Sequence, residues 1–417
     1  MRSSTRRQTD LRALFVAEAV SLAHVARPVR LAAELDADWE IHFASADRYR
    51  NCFDSSAWQC HLVESIEPSA FLSRLESGKP LYTQTELERY VQDDLRMLEA
   101  VSPDVVIGDF RLSLGVSARA AGVPYVSICN AHWSPFARIG EMPVPEIDLV
   151  RWLGLGLAAP IFRLGFPLAL RWHARPINRL RRRFGLAAYP DLRSAYTDGD
   201  LALFADTERL VPTSAADASH RYLGPIVWSP AGSLPSWWER LPQGRALAYV
   251  TLGSTGRAEL LPMAMDVVTA AGFAVMASTA GRVQAEEAED RFVAEFLPGE
   301  QAAERADVVI CNGGSATVYQ ALSVGTPVIG LCSNLDQFLT MEFVQRAGAG
   351  VRLRAADVTA EQLRQALTRA SSAAAREAAA AACSDFASYR IGERFREGLG
   401  SLLESRPPAT RENPRET

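Results

Sequence analysis

Apolar residues in this chain fall in short, β-branched runs separated by longer stretches of helical spacing. That alternation predicts βαβ units and parallel sheets. Residues 14–16, 40–44, 105–107, 125–129, 246–252, 273–278, 308–310 and 328–331 read as strands. They lack an alternating polar face, as expected for strands covered on both sides. Helical spacing follows over 29–35 and 315–323. The expected fold class is therefore α/β, and in such a fold ligands gather where the strands' carboxyl ends share one edge.

The segment 307–337 carries the most chemistry. Gly313 and Gly314 close the strand 308–310, and Ser315, Ala316 and Thr317 then open a helix running to Ser323. Its first backbone N–H groups have no partner within the helix, and its N-terminus carries roughly half a positive charge. Such an end can cradle a diphosphate without lysine, arginine or metal. Gly325-Thr326-Pro327 ends the helix, and the next strand delivers Asp336 and Gln337 to the same edge. A carboxylate accepting from adjacent hydroxyls beside an amide that donates and accepts suits a hexose. The strand 246–252 runs into Gly253-Ser254-Thr255-Gly256, where Ser254 and Thr255 add phosphate donors.

In the first half, His24 is expected in the connection between the first strand and the helix 29–35, and Asp109 at the carboxyl end of the strand 105–107. An imidazole is the side chain best matched to removing a hydroxyl proton near neutral pH, and a carboxylate behind it fixes its tautomer. Glu18 in the same loop and His132, just after the strand 125–129, are alternative bases, and His132 and Trp133 are candidate acceptor contacts. A loop histidine bonded only to backbone is the plainer reading of His24.

These residues resemble the donor-binding signature of nucleotide-sugar glycosyltransferases of the GT-B fold, the class of plant and macrolide UDP-glycosyltransferases. In that family a His-x-Gly start precedes a Glu, a Gly-x-Pro and an Asp/Glu-Gln pair at fixed offsets. Asn312 occupies the histidine position and Gln320 the glutamate position, while Gly325, Pro327, Asp336 and Gln337 fall in register. The resemblance implies two Rossmann-like domains facing a cleft, with Asn312 at the diphosphate and Gln320 at the ribose. It places Phe296, Leu297 and Pro298 in a base-stacking loop, although an aromatic before Leu-Pro also suits a core. It further implies His24 and Asp109 as the catalytic pair, a C-terminal helix crossing back to the first domain, and inverting transfer from a UDP- or TDP-sugar to a hydrophobic acceptor. A non-catalytic nucleotide-sugar binder and a sugar-nucleotide epimerase on the same fold are the rival readings.

Length and composition agree: 417 residues, 48% hydrophobic and 22% charged, can build two cores. The expected division is 1–226, a Pro-, Gly- and Trp-rich linker 227–245, 246–383, a helix 384–405 and a disordered tail 406–417. A net charge of -5 argues against a nucleic-acid partner. Six cysteines lack zinc spacing, and Asp36-Ala37-Asp38 and Asp198-Gly199-Asp200 precede expected strands, at the edge away from the ligand, so no cofactor and no metal is expected. The start, polar over 1–12, lacks a signal-peptide pattern, so the expectation is a cytoplasmic monomer or homodimer. Residues 147–172 are strongly apolar but interrupted by Arg151 and Arg163, and six arginines follow between 171 and 183. Helices walling the acceptor pocket are the first reading of 147–184. Peripheral contact with the inner face of a membrane is the second.

Overall fold

The computed structural model describes residues 11–53, 55–214, 219–229 and 233–406. Apart from Arg406, the tail lies outside them, as does the start through residue 10. The first sheet contains β1 (Leu11–Ala17), β2 (Trp39–Ser45), β3 (Gln59–Leu62), β4 (Val105–Asp109), β5 (Tyr125–Cys129), β6 (Leu201–Phe204) and β7 (His220–Tyr222), ordered β3-β2-β1-β4-β5-β6-β7. The second contains β8 (Leu247–Thr251), β9 (Ala274–Ser278), β10 (Arg291–Ala294), β11 (Val308–Cys311), β12 (Val328–Cys332) and β13 (Gly350–Arg354), ordered β10-β9-β8-β11-β12-β13. Every pairing between these strands is parallel. The order reverses between β1 and β4 in one sheet and between β8 and β11 in the other, and each reversal opens a crevice at the carboxyl edge.

The strands missed by apolar pattern explain themselves. β3, β7, β10 and β13 are the edge strands of the two sheets, short and carrying polar residues (Gln-Cys-His-Leu, His-Arg-Tyr, Arg-Phe-Val-Ala and Gly-Val-Arg-Leu-Arg), so burial leaves little mark on them.

Two expected helices differ in informative ways. The first spans Leu22–Ala32 instead of 29–35 and carries Pro28 inside it. Proline removes the hydrogen bond to the carbonyl four residues earlier, which makes a start beyond Pro28 the local preference. Burial of Val25, Val29, Leu31 and Ala32 overrides it. The expected helix 384–405 is two helices, Ala373–Ala387 and Ile391–Ser405. The second returns to the first sheet, where Phe395 is fully buried with its ring 6.3 Å from that of Phe15 and Arg396 donates to the carbonyl of Glu34.

Within the expected linker, Trp237 and Trp238 are buried, and the Trp237 indole donates to the carbonyl of Val293 in the second sheet. Residues 147–184 are largely exposed, and in the helix Asp148–His173 only Ala158 and Leu170 are buried. The arginines after it are not a uniform solvated face, because Arg181 is buried against Asp198 and Tyr189.

Candidate active site

At the first crevice, register aligns Ala17 of β1 with Asp109 of β4, bringing the residues after both strands together. His24 lies in the first turn of the Leu22–Ala32 helix instead of a loop, and its Nδ1 is 2.8 Å from Asp109 Oδ1. Asp109 is fully buried and also accepts a two-pronged contact from Arg27, Nε at 2.7 Å and Nη2 at 2.8 Å. An Nδ1–H donated to this carboxylate leaves Nε2 as the open nitrogen of the imidazole. The backbone-only reading of His24 is thereby corrected. Burial would lower the Arg27 pKa, but Asp109 outweighs it and raises it, so the guanidinium stays charged.

Arg27 is the residue that sequence reasoning missed. The signal was available: three residues after His24 on a helix is the same face. It was hidden by placing His24 before the helix. Arg27 Nη1 continues to Asn130 Oδ1 at 2.9 Å, Asn130 donates to Asp206 at 3.2 Å, and Ser315 Oγ donates to Asn130 Oδ1 at 3.3 Å. Asp206 also accepts from the Tyr319 hydroxyl. One polar chain thus links the base side of the cleft to the opening turn of the helix Ser315–Ser323.

The alternative base Glu18 is excluded by burial. It is fully enclosed, with Oε2 accepting from Arg111 Nη1 at 3.0 Å, and Arg111 is shared with buried Asp94 at 3.0 Å. Burial raises the Glu18 pKa despite that partner. His132 is also sealed: its Nε2 is 3.0 Å from Asp336 Oδ1 and its Nδ1 is buried with no hydrogen-bond partner. Trp133 donates to the same oxygen at 2.8 Å. Withdrawal from water would raise the Asp336 pKa, yet His132 and Trp133 together hold it down at about 2.

Across the cleft, Gly313 adopts φ 80°, and a Cβ there would lie 2.7 Å from Cys332 Sγ, so only glycine makes this turn without displacement. Asn312 accepts from Gly314 N at 3.1 Å and donates to Thr255 Oγ1 at 3.1 Å. It therefore shapes the turn and joins the two donor loops. Gly314 is the N-cap, and no side chain caps the helix, so the N–H groups of Ser315, Ala316 and Thr317 are left to the cleft. Ser254 and Thr255 follow β8 beside them.

Two expected sugar and ribose contacts are engaged elsewhere. Gln337 is buried, its carbonyl accepting from Ser333 N at 2.8 Å and its amide donating to Thr255 at 3.3 Å. It closes a capping box with Asn334, a pattern legible in Asn334-x-x-Gln337. The Gln320 amide donates to the carbonyl of Trp228 at 2.9 Å and to Ser229 at 3.0 Å. Phe296 is 66% exposed, which rules out its core reading, whereas Leu297 is buried and Pro298 is the N-cap of the helix Gly299–Arg305. Both Asp-x-Asp motifs precede strands, β2 and β6, at the opposite edge, where Asp198 and Asp200 bind Arg119. No cluster suited to a metal occurs among the described residues.

Two doubly wound sheets with opposed crevices, one holding a His-Asp pair and the other an uncapped glycine-turn helix, define a GT-B glycosyltransferase. Comparison with known proteins narrows the class. Residues 275–390 match the family of erythromycin biosynthesis protein CIII-like C-terminal domains. The chain is 43% identical over 402 residues to a PGL/p-HBAD biosynthesis rhamnosyltransferase of Mycobacterium bovis BCG, covering 95% of this chain and 89% of the relative. A PGL/p-HBAD biosynthesis glycosyltransferase of Mycobacterium tuberculosis is 43% identical over 91% of this chain and 90% of its own length. Among solved structures, the spinosyn rhamnosyltransferase SpnG superposes with TM-score 0.67 at 19% identity, covering 94% of this chain and all of that one. The chain belongs to the glycosyltransferase family of these mycobacterial PGL/p-HBAD biosynthesis enzymes.

Proposed function

We propose that this glycosyltransferase moves a 6-deoxyhexose, of the rhamnosyl type, from a thymidine diphosphate carrier to a hydroxyl on a hydrophobic acceptor, inverting the anomeric carbon. The observation that carries this reading is the His24–Asp109 contact of 2.8 Å on one wall, tied through Arg27 and Asn130 to Ser315 at the uncapped helix end on the other. The sugar class is suggested by the rhamnosyltransferase relative, and the carrier by the SpnG structure complexed with thymidine diphosphate.

In this reading the acceptor lies along an aromatic wall. Phe110 stacks on His24 at 4.5 Å and on Tyr196 at 5.4 Å, and Trp133 lies 5.3 Å from Tyr196. His24 Nε2 takes the acceptor's proton as its oxygen bonds to the anomeric carbon from the face opposite the leaving group. Asp109 stabilises the imidazolium that forms, and Arg27 holds Asp109 in place. The bond from the anomeric carbon to the diphosphate oxygen breaks, and its charge passes to the N–H groups of residues 315–317 with Ser254 and Thr255. Asp336 faces the sugar once its contact with His132 and Trp133 is shared or exchanged. No step is assigned to a metal or cofactor.

The deciding experiment is transfer of labelled rhamnose from its thymidine diphosphate to an aryl alcohol bearing an apolar tail, with His24→Ala as the variant. We expect kcat to fall about a thousandfold while donor affinity stays within twofold, as removal of a positioned base predicts. A variant retaining more than a tenth of the wild-type kcat would assign the proton transfer to another group.

A further inference from the structure

The helix Asp148–His173 leaves its apolar side chains in solvent. Leu164 is 84% exposed, Trp152 79%, and Leu157 and Leu168 66% each. Leu157, Ile161, Leu164, Leu168 and Trp172 recur at spacings of three and four, so they form one stripe along the helix. An unpartnered apolar stripe of this length marks a site of association. We propose that it is the surface by which the protein lies on an anionic lipid bilayer.

Charge selects that occupant. Of the eight arginines in 148–183, Arg151, Arg163, Arg181 and Arg183 pair with Asp148, Glu141, Asp198 and Glu88, which leaves Arg171, Arg175, Arg179 and Arg182 to face an anionic surface, in a chain of net charge -5. Arg171, Arg175 and Arg182 are exposed at or just beyond the end of the stripe. An apolar face bordered by arginine is the composition of a helix that rests at the headgroup boundary.

The helix is long and apolar enough by composition to cross a bilayer. Its surroundings oppose crossing. Just before it, the backbone N–H of Glu146 is bonded to Ser333 and its carboxylate pairs with Arg257 at 3.0 Å. Just after it, Ile177, Leu180 and Arg181 are buried in the first domain. The leading end is therefore held by the second domain and the trailing end by the first, and a span would have to tear one loose. Gly154, with non-helical φ 70° and ψ 160°, also kinks the rod near its start. The helix also leads through the Arg175–Arg183 helix to Leu192–Tyr196, whose Tyr196 stands in the aromatic wall beside His24. A bilayer-bound acceptor would thus approach from this side.

The test is flotation of the purified full chain with vesicles of phosphatidylcholine alone or with 30% phosphatidylglycerol (a chosen probe ratio, roughly that of an anionic bacterial surface), followed by Trp fluorescence. Variants are Leu164→Ser with Leu168→Ser, and Arg171→Glu with Arg175→Glu, each checked by thermal melting. We expect binding to the anionic vesicles with a blue-shifted emission, a tenfold or greater loss in both double variants, and weakening with salt. Absence of binding, binding unchanged in the variants, or a dimer that the leucine variants dissociate would each overturn the proposal. None of these readouts depends on sugar transfer, so failure here leaves the proposed reaction standing.

Discussion

Single residues decide the cleft's electrostatics. Asp336 receives both His132 and Trp133, and His132 is fully enclosed with that carboxylate as its partner. Asp336→Ala strips a buried imidazole of its acceptor, and the expected loss is about 1–3 kcal/mol of stability, read from the urea midpoint. The same contact fixes a sign with pH. A carboxyl held at about 2 contributes stability that is complete above its unfolded value and is lost as pH falls toward 2. Wild type and Asp336→Ala should therefore converge in stability as the pH is taken down from 5 to 2. Arg27 teaches the complementary point: its fork on Asp109 fixes that carboxylate in position beside His24, without any glycine-rich loop around it.

At the scale of elements, turns and caps carry the function. Gly313 turns β11 into the helix Ser315–Ser323 at φ 80°, against Cys332 and Met341. Gly313→Ala combines left-handed strain with overpacking, about 3 kcal/mol together, and the expected outcome is a lower melting temperature with loss of donor binding. The helix Gln84–Val101 is opened by a capping box between Thr83 and Glu86, and Arg74 pairs with Glu86 at 2.7 Å. Partial burial pushes the Glu86 carboxyl up, but Arg74 and Thr83 prevail and hold it at about 2. Glu86→Gln keeps a capping side chain while removing the charge, so it should cost on the order of 1–2 kcal/mol at pH 7 and nothing near pH 2. Denaturant midpoints at the two pH values check this.

Across the whole molecule, the chain's last described helix returns to the first sheet and seats Phe395 against Phe15. Phe395→Ala leaves a cavity under that sheet, and a loss of about 3–4 kcal/mol is expected by calorimetry. Much of this architecture was legible in the chain. β5 and the helix Ser315–Ser323 coincide with the apolar pattern to the residue, because both are buried where pattern and burial say the same thing. The glycine turn, Asp109 at a strand end and the placement of both Asp-x-Asp motifs followed from the same alternation. Edge strands β3, β7, β10 and β13 did not, since half-exposed backbone needs no apolar signature. The local sequence around Pro28 pointed to a helix beginning after it, and only packing on β1 and β4 extended that helix back through His24 and so created the face shared with Arg27. The fate of Gln320, turned to the segment at Trp228, depended on a neighbour distant in sequence, whereas the cap made by Gln337 was legible locally in Asn334-x-x-Gln337. What the sequence determined by itself is what local physics controls: parallel α/β order, glycine turns, and which residues end strands. What only tertiary structure decided is which of those ends face each other, because pairing Asp109 with His24 and Arg27, and Asp336 with His132, requires contacts more than eighty residues apart that no local pattern encodes.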